Sequence, residues 1–196
     1  EKIVQRIKEA IAKLEKERLV QKIEKNKTES LFVTVGEKGT ILTSSNGTFW
    51  TQRDSRTTNS LFDVTHGNGL FVTVGNYGTI FTSSDGISWV SRTSGISNGL
   101  YSVVYKNRLY LIGGLLTSIN GISWQSSTLQ DTGIWGASYE NGLFILVGSN
   151  GKLLTSIDGY SWNLRTSGTS NDLIGITHGN GSYVITGFSG LNPGAP

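Results

Sequence analysis

The stretch that decides the fold runs over residues 61–94 and reads LFDVTHGNGLFVTVGNYGTIFTSSDGISWVSRTS. It contains four short runs of apolar or alternating residues, separated by the turn signals Gly67-Asn-Gly69, Gly75-Asn-Tyr-Gly78 and Asp85-Gly86. An Asn-Gly or Asp-Gly pair between such runs is a strong hairpin signal, because a two-residue type I′ turn requires positive φ at both central residues. The stretch therefore predicts four consecutive antiparallel strands, which we name A, B, C and D in chain order.

The end of this stretch recurs four times as an Asp-Gly or Asn-Gly pair with a Trp three residues after the Gly. The Trp residues are 39, 35 and 38 positions apart. A period near 40 with short strands and tight turns is typical of a propeller blade, because one four-stranded meander cannot bury both faces until neighbours stack on it. The sequence thus predicts an all-β propeller of about four four-stranded antiparallel blades. Its structural repeat residues are Asn46, Gly47, Trp50, Asp85, Gly86, Trp89, Asn120, Gly121, Trp124, Asp158, Gly159 and Trp162.

The B run recurs at residues 31–35, 109–112 and 143–147 and is apolar on both faces, as expected for a strand between neighbouring blades. The third repeat differs, since Leu111-Ile-Gly-Gly-Leu115 lacks the four residues that form the B–C turn elsewhere. We therefore expect the third blade to be irregular at this turn.

The two ends of the repeat region, residues 29–190, do not match in strand number. The first repeat offers only B, C and D (residues 31–53), and the last offers A (173–178) and B (183–188). Pairing of the last A strand with the first B, C and D would close four blades and leave residues 183–188 over. Completion of the ring by a partner chain is the alternative, because the surplus strand is an exposed edge.

The N-terminal segment has a different composition. Residues 1–30 hold nine Lys/Arg and six Asp/Glu, whereas the remaining residues hold eight of each, so the repeats are neutral and a nucleic-acid partner is not expected. The absence of Cys excludes disulfides and thiolate chemistry, and no apolar stretch reaches the length of a membrane span. A start at Glu1 without Met and the Pro- and Gly-containing tail over residues 191–196 are typical of a trimmed, excised or engineered chain.

Residues 1–28 are predicted to form an amphipathic helix that either covers a blade edge or self-associates. Its short coiled-coil seam has 3-4-3 spacing and consists of Val4, Ile7, Ile11 and Leu14. The seam fails after residue 18, so residues 19–23 either continue the helix or supply the missing A strand of the first blade. The seam and the open edge together predict a homo-oligomer.

A ring of polar and aromatic residues is predicted where each A strand ends. His66 and His178 occupy this position in two repeats, and Tyr105 and Tyr139 occupy it in the other two. A position that alternates His and Tyr fills space and offers a polar tip, so neither a metal nor a cofactor is expected. With the Asn two residues later, this rim could bind a sugar or a peptide. Its residues are His66, Asn68, Tyr105, Asn107, Tyr139, Asn141, His178 and Asn180.

The Asp/Asn-Gly-x-x-Trp elements resemble the Asp-box of the bacterial neuraminidase repeat, although here the Asp or Asn is followed directly by Gly. Longer strings such as Gly67-Asn-Gly-Leu-Phe-Val-Thr-Val-Gly75 resemble blades of bacterial surface and secreted proteins, and more distantly the photosystem II assembly and stability factors. The resemblance implies a folding element without activity, with the Trp packed against the next blade, and it favours a cell-surface or secreted location. Trp135 matches Phe62, Tyr101 and Ile174 in strand A of the repeats, so it too is expected in the core.

A sialidase-like activity is not expected, because the Arg-Ile-Pro marker of that family is missing. Arg53, Arg92 and Arg165 recur three residues after a Trp, but Ser127 replaces them in the third repeat. We interpret these arginines as surface or interblade residues, with an anion site as the alternative. The sequence therefore predicts a non-catalytic binding or display module for a glycan or a protein. A self-assembling scaffold is the second interpretation and a hydrolase the third.

Overall fold

The computed structural model describes residues 11–18 and 31–188. Residues 11–18 are helical, and Ile11 and Leu14 of the predicted seam are exposed on this helix. Val4 and Ile7, the alternative over residues 19–23 and the tail over residues 191–196 lie outside the described residues. Within the described part of the chain, no helix is long and apolar enough to cross a bilayer.

The rest of the described chain forms 17 antiparallel strands in five sheets, which confirms the β-propeller architecture. Blade 1 has three strands, blades 2 to 4 have four each, and blade 5 has two. Blade 1 contains β1 (Phe32–Val35), β2 (Ile41–Ser44) and β3 (Thr51–Arg53). Blade 2 contains β4 (Leu61–Gly67), β5 (Leu70–Gly75), β6 (Ile80–Ser83) and β7 (Val90–Arg92). Blade 3 contains β8 (Val103–Lys106), β9 (Leu109–Ile112), β10 (Leu116–Ser118) and β11 (Gln125–Ser126). Blade 4 contains β12 (Ile134–Glu140), β13 (Leu143–Gly148), β14 (Leu153–Ser156) and β15 (Asn163–Leu164), and blade 5 contains β16 (Asp172–Gly179) and β17 (Ser182–Phe188).

Strands A to D follow each other in space as they do in sequence, as predicted. In blades 1, 2 and 4 the B–C connection is a short 3-10 turn, over Glu37–Gly39, Asn76–Gly78 and Ser149–Gly151. Blade 3 replaces it with a tighter turn, in which the Leu115 N–H donates to the Ile112 carbonyl at 2.8 Å. The predicted irregularity of the third blade is therefore confirmed.

The predicted closure of the ring by the last A strand is wrong. Strand β16 pairs along its length with β17 and not with β1, so among the described residues blade 1 has three strands and the ring is not closed. The two-residue connection Asn180-Gly181 makes this hairpin local, whereas pairing with β1 would have to close a loop of more than a hundred residues. The loop-closure entropy favours the local hairpin.

The core lies between adjacent blades. Each of its three clusters joins residues of one blade to A-strand residues and a Trp of the following blade. Val72 of β5, Val103 of β8 and Trp124 meet in this way between blades 2 and 3. Contacts between blades are made mainly by the A strands, which therefore line the central side of the ring. Full burial of such a side chain contributes about 1.5–3 kcal/mol, so each blade depends on its neighbours for stability.

The C–D connections are longer than the predicted two-residue turns. Only the Gly of each pair adopts positive φ, for example 70° at Gly86, and six residues separate the C strand from the D strand. The Asp85 carboxylate accepts hydrogen bonds from the backbone N–H groups of Ile87 and Ser88 at 2.8 Å, and the Ser83 hydroxyl accepts one from Gly86 at 2.8 Å. The Asp or Asn is thus needed as an acceptor and not for a left-handed backbone. We call these segments the Ser–Asx loops; they span residues 44–50, 83–89, 118–124 and 156–162.

The sequence predicted that all four tryptophans of the Ser–Asx loops are buried, and the structure shows that they are not. Trp89 is 8% exposed and packs with Val33 of the preceding blade, whereas Trp50 is 43% exposed. Trp162 likewise packs with Leu109 and Leu111 of the preceding blade, not with the next blade as the resemblance implied. Trp50 is exposed because no described blade precedes blade 1.

The Ser–Asx loops make the acid stability of the protein dependent on two carboxylates. Hydrogen bonds from the Ser88 and Ile87 N–H groups lower the pKa of Asp85 to about 2, and those from Ser161 and Tyr160 lower the pKa of Asp158 to about 2. A carboxylate with a lowered folded-state pKa contributes stability above its unfolded pKa of 3.8 and loses it as the pH falls towards 2. Asn46 and Asn120 accept the same bonds without titrating.

We therefore expect the Asp85→Asn/Asp158→Asn double variant to keep the fold. When the pH is lowered from 4 to 2, its melting temperature should fall less than that of the parent chain. Thermal unfolding followed by circular dichroism at several pH values measures this difference. The effect should be modest because both carboxylates face solvent. Equal slopes for the two chains would show that these bonds do not control acid stability.

Candidate functional site

The A–B turns form one rim of the molecule. Successive strands of a blade run in opposite directions, so the A–B turns and the Ser–Asx loops share one end and the B–C turns and D–A connections share the other. Asn68 has a φ of 48° and Gly69 a φ of 71°, as a type I′ turn requires. The matching pairs are Asn107-Arg108, Asn141-Gly142 and Asn180-Gly181. Asn tolerates this left-handed conformation better than most residues, so its recurrence here has a backbone reason.

Half of the predicted rim residues bond one another across blade boundaries. The Asn107 Nδ2 donates to the Tyr139 Oη at 2.7 Å, which joins blade 3 to blade 4. The Asn141 Nδ2 lies 3.0 Å from the His178 Nε2, which joins blade 4 to blade 5. These polar tips are therefore already used in holding the blades together.

Two tyrosines on the B strands, which sequence reasoning missed, also form hydrogen bonds between blades. The Tyr110 hydroxyl donates to the Gly67 carbonyl, and the Tyr183 hydroxyl donates to the Glu140 carbonyl at 3.1 Å. Burial raises the pKa of Tyr110 to about 12. The available signal was the aromatic residue at the second position of each B strand, which faces the preceding blade.

The other predicted rim residues are less engaged. His66, Asn68 and Asn180 are exposed, and the His66 ring packs at 4.4 Å against the Phe71 ring. Tyr105 lies against Gly67, where there is no room for a Cβ atom. A ligand role for this rim stays a prediction.

A second candidate surface lies near the opposite end of the A strands. Phe62, Trp135 and Ile174 each sit where the A–B register shifts by one residue, and Tyr101 precedes β8 at the matching position. We call these four residues the aromatic stripe. The sequence placed Trp135 in the core, but Trp135 and Tyr101 are half-buried and Phe62 and Ile174 are exposed. The extra residue of each β-bulge turns its side chain out of the regular alternation, which explains the error.

The rings of the aromatic stripe contact one another across three blades. The Phe62 and Tyr101 ring centroids lie 5.1 Å apart with an interplanar angle of 22°, and those of Tyr101 and Trp135 lie 4.6 Å apart at 54°. Such ring pairs contribute about 0.5–1.5 kcal/mol beyond the area they bury. The Trp135 Nε1 is buried and has no hydrogen-bond partner among the described residues.

One carboxylate lies directly beside the aromatic stripe. The Asp63 Oδ1 accepts a hydrogen bond from the Val64 N–H at 2.8 Å, and its Oδ2 accepts one from the Val103 N–H of blade 3 at 2.8 Å. Burial raises the pKa of Asp63 despite these bonds. Its counterparts in the other blades are Ser102, Gly136 and Gly175. The position therefore supplies a single acid, which ties blade 2 to blade 3.

An open groove of about 1080 Å³ runs along the outer part of blade 2 and is lined by Arg56, Tyr77 and Arg92. The Arg92 Nε donates to the Thr82 Oγ1 at 2.8 Å, and Arg53 and Arg165 make the matching bond to the threonine of their own C strand. The recurrent arginines are thus fixed on the outer strands of separate blades and do not converge. Among the described residues, no group of His, Asp and Glu is placed to hold a metal ion.

Neither a protein-family model nor a curated protein sequence matches this chain. Its structure is similar to that of YCF48 from Cyanidioschyzon merolae, with a TM-score of 0.55 and 18% identity over 74% of this chain and 55% of that chain. It is also similar to an ancestral GH74 enzyme, with a TM-score of 0.52 and 16% identity over 76% of this chain and 27% of that chain. At these identities the likeness concerns the fold alone. This chain spans about 55% of the YCF48 chain and about 27% of the GH74 chain.

Proposed function

We propose that this protein is a non-catalytic β-propeller module that binds a glycan or a protein segment on the aromatic stripe. The observation that carries the proposal is the run of contacting rings from Phe62 through Tyr101 to Trp135, which crosses three blades on the central side and is partly open to solvent. The exposed edges and outer faces of these stacked and tilted rings offer an apolar ridge to solvent. Sugar rings and the apolar side chains of an extended peptide both pack on exposed aromatic side chains.

The position of the stripe supports a binding role better than the A–B rim does. On the A–B rim, Asn107, Tyr139, Asn141 and His178 already bond one another, so a ligand would have to replace bonds that join blades. On the aromatic stripe the contacts are made by ring faces and edges, and a ligand would add contacts without breaking a hydrogen bond. The desolvation cost of binding is accordingly lower at the stripe.

The non-catalytic part of the proposal rests on Asp63. Glycoside hydrolysis by the common mechanisms needs two carboxyl groups on either side of the scissile bond. Among the described A strands, the position that follows the stripe residue is acidic only in blade 2, and both oxygens of this Asp63 accept backbone N–H bonds. The alternative of a sialidase-like hydrolase is tested by incubating the protein with a sialic acid glycoside. Turnover that Arg92→Ala or Arg165→Ala abolishes would contradict the proposal.

The binding test compares two double variants that each remove two aromatic side chains from blades 3 and 4. Tyr101→Ala/Trp135→Ala alters the stripe, and Tyr105→Ala/Tyr139→Ala alters the A–B rim. Arrays of defined oligosaccharides and of short synthetic peptides identify a bound probe, and calorimetric titration then gives its Kd. We expect the stripe variant to weaken binding about tenfold or more, because central aromatic contacts each contribute more than about 1 kcal/mol. The rim variant should bind like the parent chain.

The reverse result would place the ligand on the A–B rim, as the sequence predicted. Equal binding by both variants would contradict both sites. Circular dichroism melts of each variant serve as the folding control, because Tyr139 also bonds Asn107 and its loss can loosen the junction between blades 3 and 4.

A structural scaffold is the second candidate, and the exposed Ile11 and Leu14 on the helix favour it. Two apolar residues one helical turn apart form a seam that is too short to hold two chains alone. Self-association through the helix would therefore need support from the propeller itself.

A further inference from the structure

The Ser–Asx loops pack on the preceding blade in the same way at three successive blade junctions. Gly86 of blade 2 faces Leu31 of blade 1, Gly121 of blade 3 faces Leu70 of blade 2, and Gly159 of blade 4 faces Leu109 of blade 3. A Cβ atom on each Gly would lie 2.3, 2.8 and 2.5 Å from the leucine, respectively. The three leucines hold the same register position, at the start of each B strand. The chain therefore repeats one interface, with a Gly and Trp on one side and B-strand side chains on the other.

Blade 1 presents one half of this interface without the other. Gly47 has no atom within 4 Å of a Cβ position, although the Trp50 Nε1 donates to the Gly47 carbonyl at 3.1 Å as Trp89 does to Gly86. The loop thus makes the same Trp–Gly bond as the loop of blade 2, and no other described residue covers Gly47. Phe32 on β1 is 50% exposed, whereas its counterparts Tyr110 and Phe144 are 0% and 1% exposed. We call Phe32, Gly47 and Trp50 the blade-1 face.

Blade 5 presents the complementary half. Its B strand β17 directs Ser182 and Val184 to the side where a following blade would pack. Val184 is 54% exposed, whereas its counterparts Val72 and Leu111 are fully buried by the next blade. We call Ser182 and Val184 the blade-5 face.

We propose that the blade-1 face of one molecule docks on the blade-5 face of a second copy of this chain, head to tail. The two faces are the separated halves of an interface that the chain already builds between its own blades, and they lie at opposite ends of the open ring. Ser182 stands where the internal junctions have a leucine, so a second copy matches these faces through the exposed apolar Phe32, Trp50 and Val184. Head-to-tail contacts use two different surfaces, so they form rings or open chains of molecules.

A complementation experiment tests this arrangement. Trp50→Glu places a charge on the blade-1 face and Val184→Glu places one on the blade-5 face; both side chains are exposed in the single molecule, so both variants should fold. The parent chain should show a mass that rises with concentration in sedimentation equilibrium. Each variant alone should weaken this association at least tenfold. An equimolar mixture should form a one-to-one dimer and nothing larger, because each variant keeps one usable face.

The control is Val90→Glu, at an exposed position on the D strand of blade 2 away from both faces, which should associate like the parent chain. Monomeric parent protein at all concentrations would overturn the proposal and would indicate that another part of the same chain covers the faces. Association that neither variant weakens would also overturn it and would point to the helix. Failure of the mixture to form a dimer, with both variants folded, would exclude the head-to-tail pairing.

Discussion

Replacing Gly78 with Ala should lower the free energy of unfolding by about 2–5 kcal/mol. Gly78 has a φ of 65°, and a left-handed backbone costs an L-residue about 1–2 kcal/mol. In addition, a Cβ atom there would lie 2.0 Å from the Ile96 carbonyl oxygen of the D–A connection. The backbone must move to relieve this collision, which costs about 1–3 kcal/mol more. The movement would also strain the bond from the Gly78 N–H to the Asn98 carbonyl, now 2.8 Å long.

Gly69→Ala is the matched control for this prediction. Gly69 has a similar φ of 71°, but no atom lies within 4 Å of its Cβ position. Only the backbone term of about 1–2 kcal/mol should remain. Urea unfolding of the three chains gives the comparison. Equal losses for the two variants would mean that the B–C turn does not need its close contact with the D–A connection.

Asp63→Ala should lower the free energy of unfolding by about 2–4 kcal/mol, because it leaves the N–H groups of Val64 and Val103 without their acceptor in a half-buried site. Asp54→Ala is the control, since Asp54 accepts the Arg56 N–H at 2.9 Å on an exposed loop. Its loss should cost about 0.5 kcal/mol or less. A small effect at Asp63 would show that this carboxylate does not hold blades 2 and 3 together.

The pH dependence of the Asp63 contribution has the opposite sign to that of Asp85. Burial raises the folded-state pKa of Asp63 above the unfolded value of 3.8, so the folded protein takes up this proton more readily. The part of its contribution that is linked to proton uptake is fully present below pH 3.8 and is lost as the pH rises through the raised pKa. The part that comes from the two backbone hydrogen bonds does not follow this window. Unfolding of Asp63→Ala, measured from pH 4 to pH 8, should lack this change.

Local features of the fold were predictable from sequence because they depend on neighbouring residues. The Asn68-Gly69 pair encodes its own turn, and the apolar run at residues 143–147 encodes a strand covered on both faces. The Ser–Asx loops were recognised as turns, but their geometry was wrong since the side chain of Asp85 acts as an acceptor two and three residues away.

Features that depend on distant partners were not predictable. Whether Trp50 is buried depends on a blade that precedes it in space, and its own loop is the same as that of Trp89. Whether β16 pairs with the adjacent β17 or with the distant β1 depends on a competition between a local and a long-range pairing, and the repeat pattern is compatible with both. The aromatic stripe was missed because a β-bulge changes the direction of one side chain without changing the spacing of the sequence repeats.

The way in which each Ser–Asx loop rests on the blade before it also bears on how such chains change in evolution. Each of blades 1 to 4 carries both the loop glycine and the B-strand leucine of this junction, so duplication or loss of one such repeat preserves the pairing of Gly with Leu. A cut within a repeat separates the two halves. Stability in such arrays is a sum over units and nearest-neighbour junctions. The number of blades can therefore change by whole repeats with little loss of stability. The residues at a junction, in contrast, can change only together with the residues of the preceding blade that they contact.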